Sequence, residues 1–167
     1  EIAANIQAEV VDAEATSAFG NVDLIFDQFP PTETQVRAVS AAGGGDVTIQ
    51  TNRNLILDSI QGNTVSIQAD TDVGIRSANP MVPIVADTVL INSGPITGSG
   101  NGNGNGVVAV TRANVVDVFS ERDVTVTNQG QGVLSQVQIV TTNDNIVVQN
   151  DRLLDLTATG NSVTATA

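Results

Sequence analysis

The run Val47-Thr48-Ile49-Gln50-Thr51, followed by Leu55-Ile56-Leu57, returns 18 positions later as Val65-Ser66-Ile67-Gln68-Ala69, followed by Val73-Gly74-Ile75. Apolar residues at every second position read as a strand with one buried face, and the β-branched Val, Ile and Thr favour a pleated surface. Each repeat therefore carries two short strands. Between them lie Asn52-Arg53-Asn54 and Asp70-Thr71-Asp72, and further on Asn143-Asp144-Asn145, whose short polar side chains support tight bends.

Working outward, a third copy is read at Val82-Pro83-Ile84-Val85-Ala86, leading to Val89-Leu90-Ile91 after one deletion. Looser copies begin at Val108, Val124, Val137 and Leu154, with a gap from Val124 to Val137 that fits the period poorly. A steady period of this length predicts a β-solenoid, in which each repeat is one coil and inward side chains stack on the same row of the next. Two alternating runs joined by three or four polar residues also describe hairpins of an antiparallel β-sandwich or jelly roll. The solenoid is the expectation, because the period holds over three copies and the few aromatics suit a narrow aliphatic core.

The chain divides into residues 1–45, which show no repeat, and a repetitive β domain at 46–167. Ile2, Ile6 and Val10 are spaced four apart among Ala and Glu, so residues 2–15 are expected as a helix capping the coils, with an extended assembly arm as the alternative. Asn21 to Phe29 reads as a strand before Pro30-Pro31. Gly98-Ser99-Gly100-Asn101-Gly102-Asn103-Gly104-Asn105-Gly106 has no apolar content and is expected as a mobile loop thrown out of one coil.

Composition narrows the function. Among 167 residues there is no Cys, His, Trp or Tyr, and only four Phe. Thiolate and imidazole chemistry, the usual zinc ligands, haem ligation and disulfides are thereby excluded. The basic residues number six, all of them Arg, against 18 Asp and Glu, for a net charge of -12. Such a surface repels a phosphate backbone or an anionic membrane, so nucleic acid is not an expected partner. No apolar window is long enough for a membrane span. The first residue is Glu1 with no basic or apolar leader before it, as in a secreted chain whose signal peptide has been removed, and the expected place is extracellular or at the cell surface.

Several sites are weighed against plainer readings. The Gly-rich run lacks the Gly-Lys-Ser/Thr ending of a phosphate loop, and also the Asp of the calcium-binding nonapeptide. Asp58, Asp70, Asp72 and Asp87 are read as nearby carboxylates on stacked bends, the one pattern here that admits calcium; Asp is also an ordinary bend residue. No cofactor is otherwise expected. The same carboxylates serve a glycosidase or lyase reading, which a lack of His, Lys, Tyr or an aromatic sugar platform opposes. Thr125, Thr127, Thr157, Thr159, Thr164 and Thr166 do not form the regular column an ice-binding face needs. The chain is accordingly read as a non-enzyme.

The stretch Gly44-Gly45-Asp46-Val47-Thr48-Ile49-Gln50-Thr51, with Leu55-Ile56-Leu57 and Gly62-Asn63-Thr64-Val65-Ser66-Ile67-Gln68-Ala69, resembles the coils of filamentous-haemagglutinin-like β-helix adhesins. It covers 46–92 and, loosely, 133–167. The resemblance implies a secreted right-handed β-solenoid used for attachment or matrix building, with a surface or polysaccharide as its target. Gln61-Gly62-Asn63-Thr64-Val65-Ser66-Ile67-Gln68 is also similar to curli-type amyloid subunits, whose spacing is stricter.

A solenoid ends in unpaired strand edges that must be capped or joined. Leu154-Asp155-Leu156-Thr157-Ala158 and Val163 stop mid-pattern at Ala167 without a charged or Pro-bearing cap. Ile2, Ile6 and Val10 at one end and Leu154, Leu156 and Val163 at the other are thus the expected assembly residues of a head-to-tail homopolymer. A carbohydrate-active or carbohydrate-binding β-helix is the alternative.

Overall fold

A computed structural model describes residues 2–6, 10–15, 20–26, 33–41, 44–52, 54–69, 75–77, 84–93, 106–142 and 144–167. The strands, in chain order, are β1 (Ile2–Ile6), β2 (Val10–Ala15), β3 (Val22–Phe26), β4 (Glu33–Ala41), β5 (Val47–Thr51), β6 (Asn54–Gln61), β7 (Thr64–Ala69), β8 (Ile75–Ser77), β9 (Ile84–Val85), β10 (Thr88–Ser93), β11 (Val107–Arg112), β12 (Val115–Ser120), β13 (Val124–Asn128), β14 (Leu134–Thr141), β15 (Asn145–Asn150), β16 (Leu153–Thr159) and β17 (Ser162–Thr166). They form two sheets, one in the order β1-β3-β5-β7-β10-β12-β14-β16 and the other running from β2 and β4 to β15 and β17. The chain crosses from one sheet to the other and back in every coil. All the pairs β1–β3, β3–β5, β5–β7 and their successors are parallel. The fold is a parallel β-solenoid, and the antiparallel sandwich is ruled out.

Register makes the core a set of columns. Val22, Val47, Val65, Val89, Val116 and Val137 stand one above another in the first sheet, and beside them Leu24, Ile49, Ile67, Ile91, Val118 and Ile139. All twelve are buried. Leu55, Ile75, Val107, Val124 and Ile146 form the facing column of the second sheet and belong to the same apolar cluster. A coil alone has no partner for its inward row, so stacking is what removes these aliphatic groups from water.

Corners are hydrogen-bonded along the stack, which extends the ladder through the bends. Asp87 N–H donates to the Asn63 carbonyl (2.9 Å), and Asn114 N–H to the Asp87 carbonyl (3.1 Å). On the other edge Asp123 Oδ1 accepts from Asn145 N–H at 2.8 Å, and Asn161 N–H donates to the Asp144 carbonyl at 2.9 Å. Asn and Asp side chains add to this ladder where Asp123 Oδ1 meets the next coil and where Asn114 Nδ2 donates to Asp87 Oδ1 at 2.7 Å.

Several expectations are corrected by the register. Residues 2–6 and 10–15 are not helical: β1 and β2 are strands paired to β3 and β4, and no α-helix occurs among the described residues. A spacing of four is also an even number, so Ile2, Ile6 and Val10 satisfy a strand's alternation as well as a helical stripe. Stacking also crosses from the non-repeating region into the repetitive one, since β3 pairs β5 and β4 pairs β6.

The third copy was placed in the wrong phase. Val89 and Ile91 lie on Val65 and Ile67 in the first sheet, while Ile84 lies on Ile60 in the second. Val108 and Val124 do not open coils either, because β11 and β13 belong to the second sheet. The awkward Val124-to-Val137 gap is half a coil. Ile75 pairs Leu55 rather than Leu57.

Of the Gly-rich run, residues 98–105 lie outside the described residues. Gly106 is described: it has φ +72, and an added Cβ would meet the Asp123 carbonyl oxygen of the next coil. Its own carbonyl accepts from Ile75 N–H at 3.0 Å. Gly106→Ala combines left-handed backbone strain with a backbone clash, and is expected to lower stability by about 2 to 3 kcal/mol in a urea titration.

Candidate functional site

The two ends of the stack differ from its middle in one respect: among the described residues, β1 and β2 at one end and β16 and β17 at the other have a partner on one edge only. At the β16–β17 end the core columns continue without being covered. Leu156 extends the Val137 column and Ala158 the Ile139 column. Val163 extends the Ile146 column. Ile146 is 1% exposed and Val163 43%. Leu154, Leu156 and Ala158 are half-buried against the cluster beneath.

The rim of this end is apolar and sparsely charged. Leu153 and Val133 are well exposed, and with Gln131, Asp151, Arg152, Leu154 and Ala167 they line an open cleft. Arg152 Nε lies 3.9 Å from Asp151 Oδ1, both side chains about half exposed. Such a pair contributes little to stability in water.

A buried polar column leads to this end. In the second sheet Val39, Ile60 and Ile84 share a row that continues as Thr111, Asn128 and Asn150. Asn128 Oδ1 accepts from Thr111 Oγ1 (2.9 Å) and from Ala113 N–H (3.1 Å). Its Nδ2 donates to the Ala113 carbonyl (3.1 Å) and to Asn150 Oδ1 (2.9 Å). Asn150 Nδ2 in turn donates to the Arg152 carbonyl at 2.7 Å. All four hydrogen-bonding positions of the Asn128 amide are used.

At the opposite end, the side chains of Ile2, Ile6 and Val10 lie outside what is described, while their backbones form the last strands. Arg37 on β4 grips Asp12 on β2 through Nε to Oδ1 (3.3 Å) and through NH2 to Oδ2 (2.6 Å). The Asp12 hydrogen bond and charge, with a further contribution from Asp58, raise the Arg37 pKa above its ordinary value. Arg37 is the residue skipped where the β2–β4 register shifts, and the half-exposed bidentate pair links the two strands at that irregularity.

Two of the calcium candidates, Asp58 and Asp87, lie among the described residues. Asp58 sits within β6 near Arg37. Asp87 stands in the corner column Asn63–Asp87–Asn114, where its Oδ1 accepts from Asn114 Nδ2 at 2.7 Å. That corner leads back from the second sheet to the first. Asp70 and Asp72 fall outside the described residues. Among the described residues no group of three or more acidic side chains is placed to hold a metal ion.

One arrangement escaped the reading of the sequence. On the outer face of the first sheet, Phe119 is 37% exposed and lies in a shallow depression with Leu90, Asp117, Asn92, Gln68 and Ser66. One partly exposed aromatic side chain thus lies on this face. Phe119 follows the regular alternation of β12, whose inward residues are Val116 and Val118. The signal available was its odd place in Val116-Asp117-Val118-Phe119.

The fold defines the class: a parallel β-solenoid. No protein-family profile, curated protein or solved structure matches the chain. No helix among the described residues is long and apolar enough to cross a membrane.

Proposed function

We propose that this chain is a secreted structural subunit, not an enzyme, which joins head to tail into an extracellular filament, sheath or adhesive matrix. One observation supports the reading: Leu156, Ala158 and Val163 continue the core columns in register, and among the described residues no strand lies on them. The topology suits a second copy as that layer. Both sheets run in the same sense along the stack, from β1 and β2 to β16 and β17. A translation along the solenoid axis therefore brings β1 onto β16 and β2 onto β17 with every strand still parallel. Contacts related by translation do not close, so they yield fibres.

The resemblance to filamentous-haemagglutinin-like coils favours the same reading, and the net charge of -12 opposes nucleic acid as a partner. Electron microscopy and light scattering of the purified chain provide the test. The parent protein is expected to elongate with concentration. Leu156→Asp, which places a charge on the uncovered column, is expected to remain monomeric and folded, with assembly reduced about tenfold or more. A parent chain that stays monomeric, or Leu156→Asp filaments of ordinary length, overturns the proposal.

A further inference from the structure

We propose a neutral-saccharide binding patch on the outer face of the first sheet, built by β7, β10 and β12. Register places Ser66, Leu90 and Asp117 in one row across the three strands and Gln68, Asn92 and Phe119 in the next. These six form the lining of one depression together with backbone of the intervening Ile67 and Ile91. With parallel strands about 4.8 Å apart and same-face residues about 6.6 Å apart along each, the lattice spans about 10 by 7 Å. That is the footprint of one or two pyranose rings.

The chemistry of the six side chains selects the ligand. Phe119 and Leu90, 37% and 38% exposed, offer a flat apolar platform for the C–H face of a sugar ring. Around them stand a carboxylate that only accepts, two amides that both donate and accept, and a hydroxyl. Their backbones are held in the β7–β10–β12 ladders, while the side chains of Gln68, Asn92 and Asp117 make no hydrogen bond among the described residues and are open to a ligand's hydroxyl groups. A pocket with an apolar floor and a few convergent polar groups is the usual form of a small-molecule site.

Other occupants fit less well. The patch holds no cation, so phosphates and sulfated or uronic-acid glycans meet Asp117 and a chain of net charge -12. A second protein sheet laid across it would bury the Asp117 carboxylate and two amides, each needing its own partner. A neutral glycan brings hydroxyl groups at the spacing of its ring and satisfies both demands. The patch lies on the side of the solenoid, away from the β16–β17 end, and does not rest on head-to-tail assembly.

The test uses the whole chain carrying ring-labelled Phe, observed by nuclear magnetic resonance. With four Phe in the sequence, Phe119→Leu assigns the Phe119 signal by its loss. Cellohexaose, maltohexaose and chitohexaose are titrated separately to about 10 mM, a range that reaches weak single-site affinities. At least one is expected to shift the Phe119 ring signals saturably. Phe119→Ala, an exposed position whose loss leaves the core intact, is expected to weaken that binding about tenfold or more, and Asp117→Asn several-fold. The Leu156→Asp chain is expected to bind as the parent does, so that failure of assembly and failure of this patch are separate results. No shift with any of the three sugars, or unchanged binding by Phe119→Ala, overturns the proposal. So does a Phe119 shift that follows protein concentration without sugar, which identifies a second copy as the occupant.

Discussion

Asn128→Ala is expected to destabilise the solenoid by about 3 to 5 kcal/mol, because it orphans several buried groups at once. Thr111 Oγ1, the Ala113 N–H and carbonyl, and Asn150 Oδ1 all bond to the Asn128 amide, and Asn128 is 1% exposed. Water has no access to replace it. For a chain of this size the loss corresponds to about 10 °C in Tm. Thr111→Val removes a single donor while Asn128 Oδ1 keeps the Ala113 N–H, so its effect is expected near 1 kcal/mol. Asn150→Ala should fall between, since Asn150 sits closer to the surface and ends the ladder at the Arg152 carbonyl. Solenoid coils interact with their neighbours only, so hydrogen exchange should speed up in β11, β13 and β15 and change little in β3 and β5. Thermal melts of the three variants decide it: equal losses would mean that the ladder is not a cooperative unit.

That column also shows what a sequence does and does not reveal about such a fold. The pair Val47/Val65 was legible because both runs begin their coils and the turn between the sheets is short; they stack residue on residue through Thr51 and Ala69. Phase was lost where crossings lengthen. Val47 to Val65 is 18 residues but Val89 to Val116 is 27, although both pairs lie in the first sheet. Strands of both sheets carry the same alternation of Val and Ile, so the apolar pattern around Val108 and Val124 cannot tell one face of the coil from the other. Asn128 reads as a bend residue in sequence, yet it is an inward one whose amide is buried by Thr111 and Asn150. Leu154 and Leu156 fall on β16 and Val163 on β17, where the alternation read in the sequence continues. The Phe119 patch was not legible, because Ser66, Leu90 and Asp117 become neighbours only after coils of unequal length are set in register.

Ile67→Ala and Leu156→Ala form a pair whose contrast measures how much of the stability comes from the layer above. Ile67 is fully buried between Ile49 and Ile91 in its column. Truncation there removes contacts on both sides and leaves a cavity that coils held by ladders above and below cannot close, so a loss of about 3 to 5 kcal/mol is expected. Leu156 has Val137 beneath it and no strand above among the described residues. A half-buried Leu at an open face can relax, and its truncation in dilute monomer should amount to about 1 kcal/mol. Under conditions where the chain elongates, each Leu156 gains a covering coil and comes to resemble Ile67. The Leu156→Ala deficit should then rise toward the interior value, seen as a higher critical concentration for assembly, while the Ile67→Ala deficit stays constant. Denaturant titrations across a hundredfold range of protein concentration give both numbers. A Leu156→Ala deficit that does not depend on concentration would show that nothing stacks on that face.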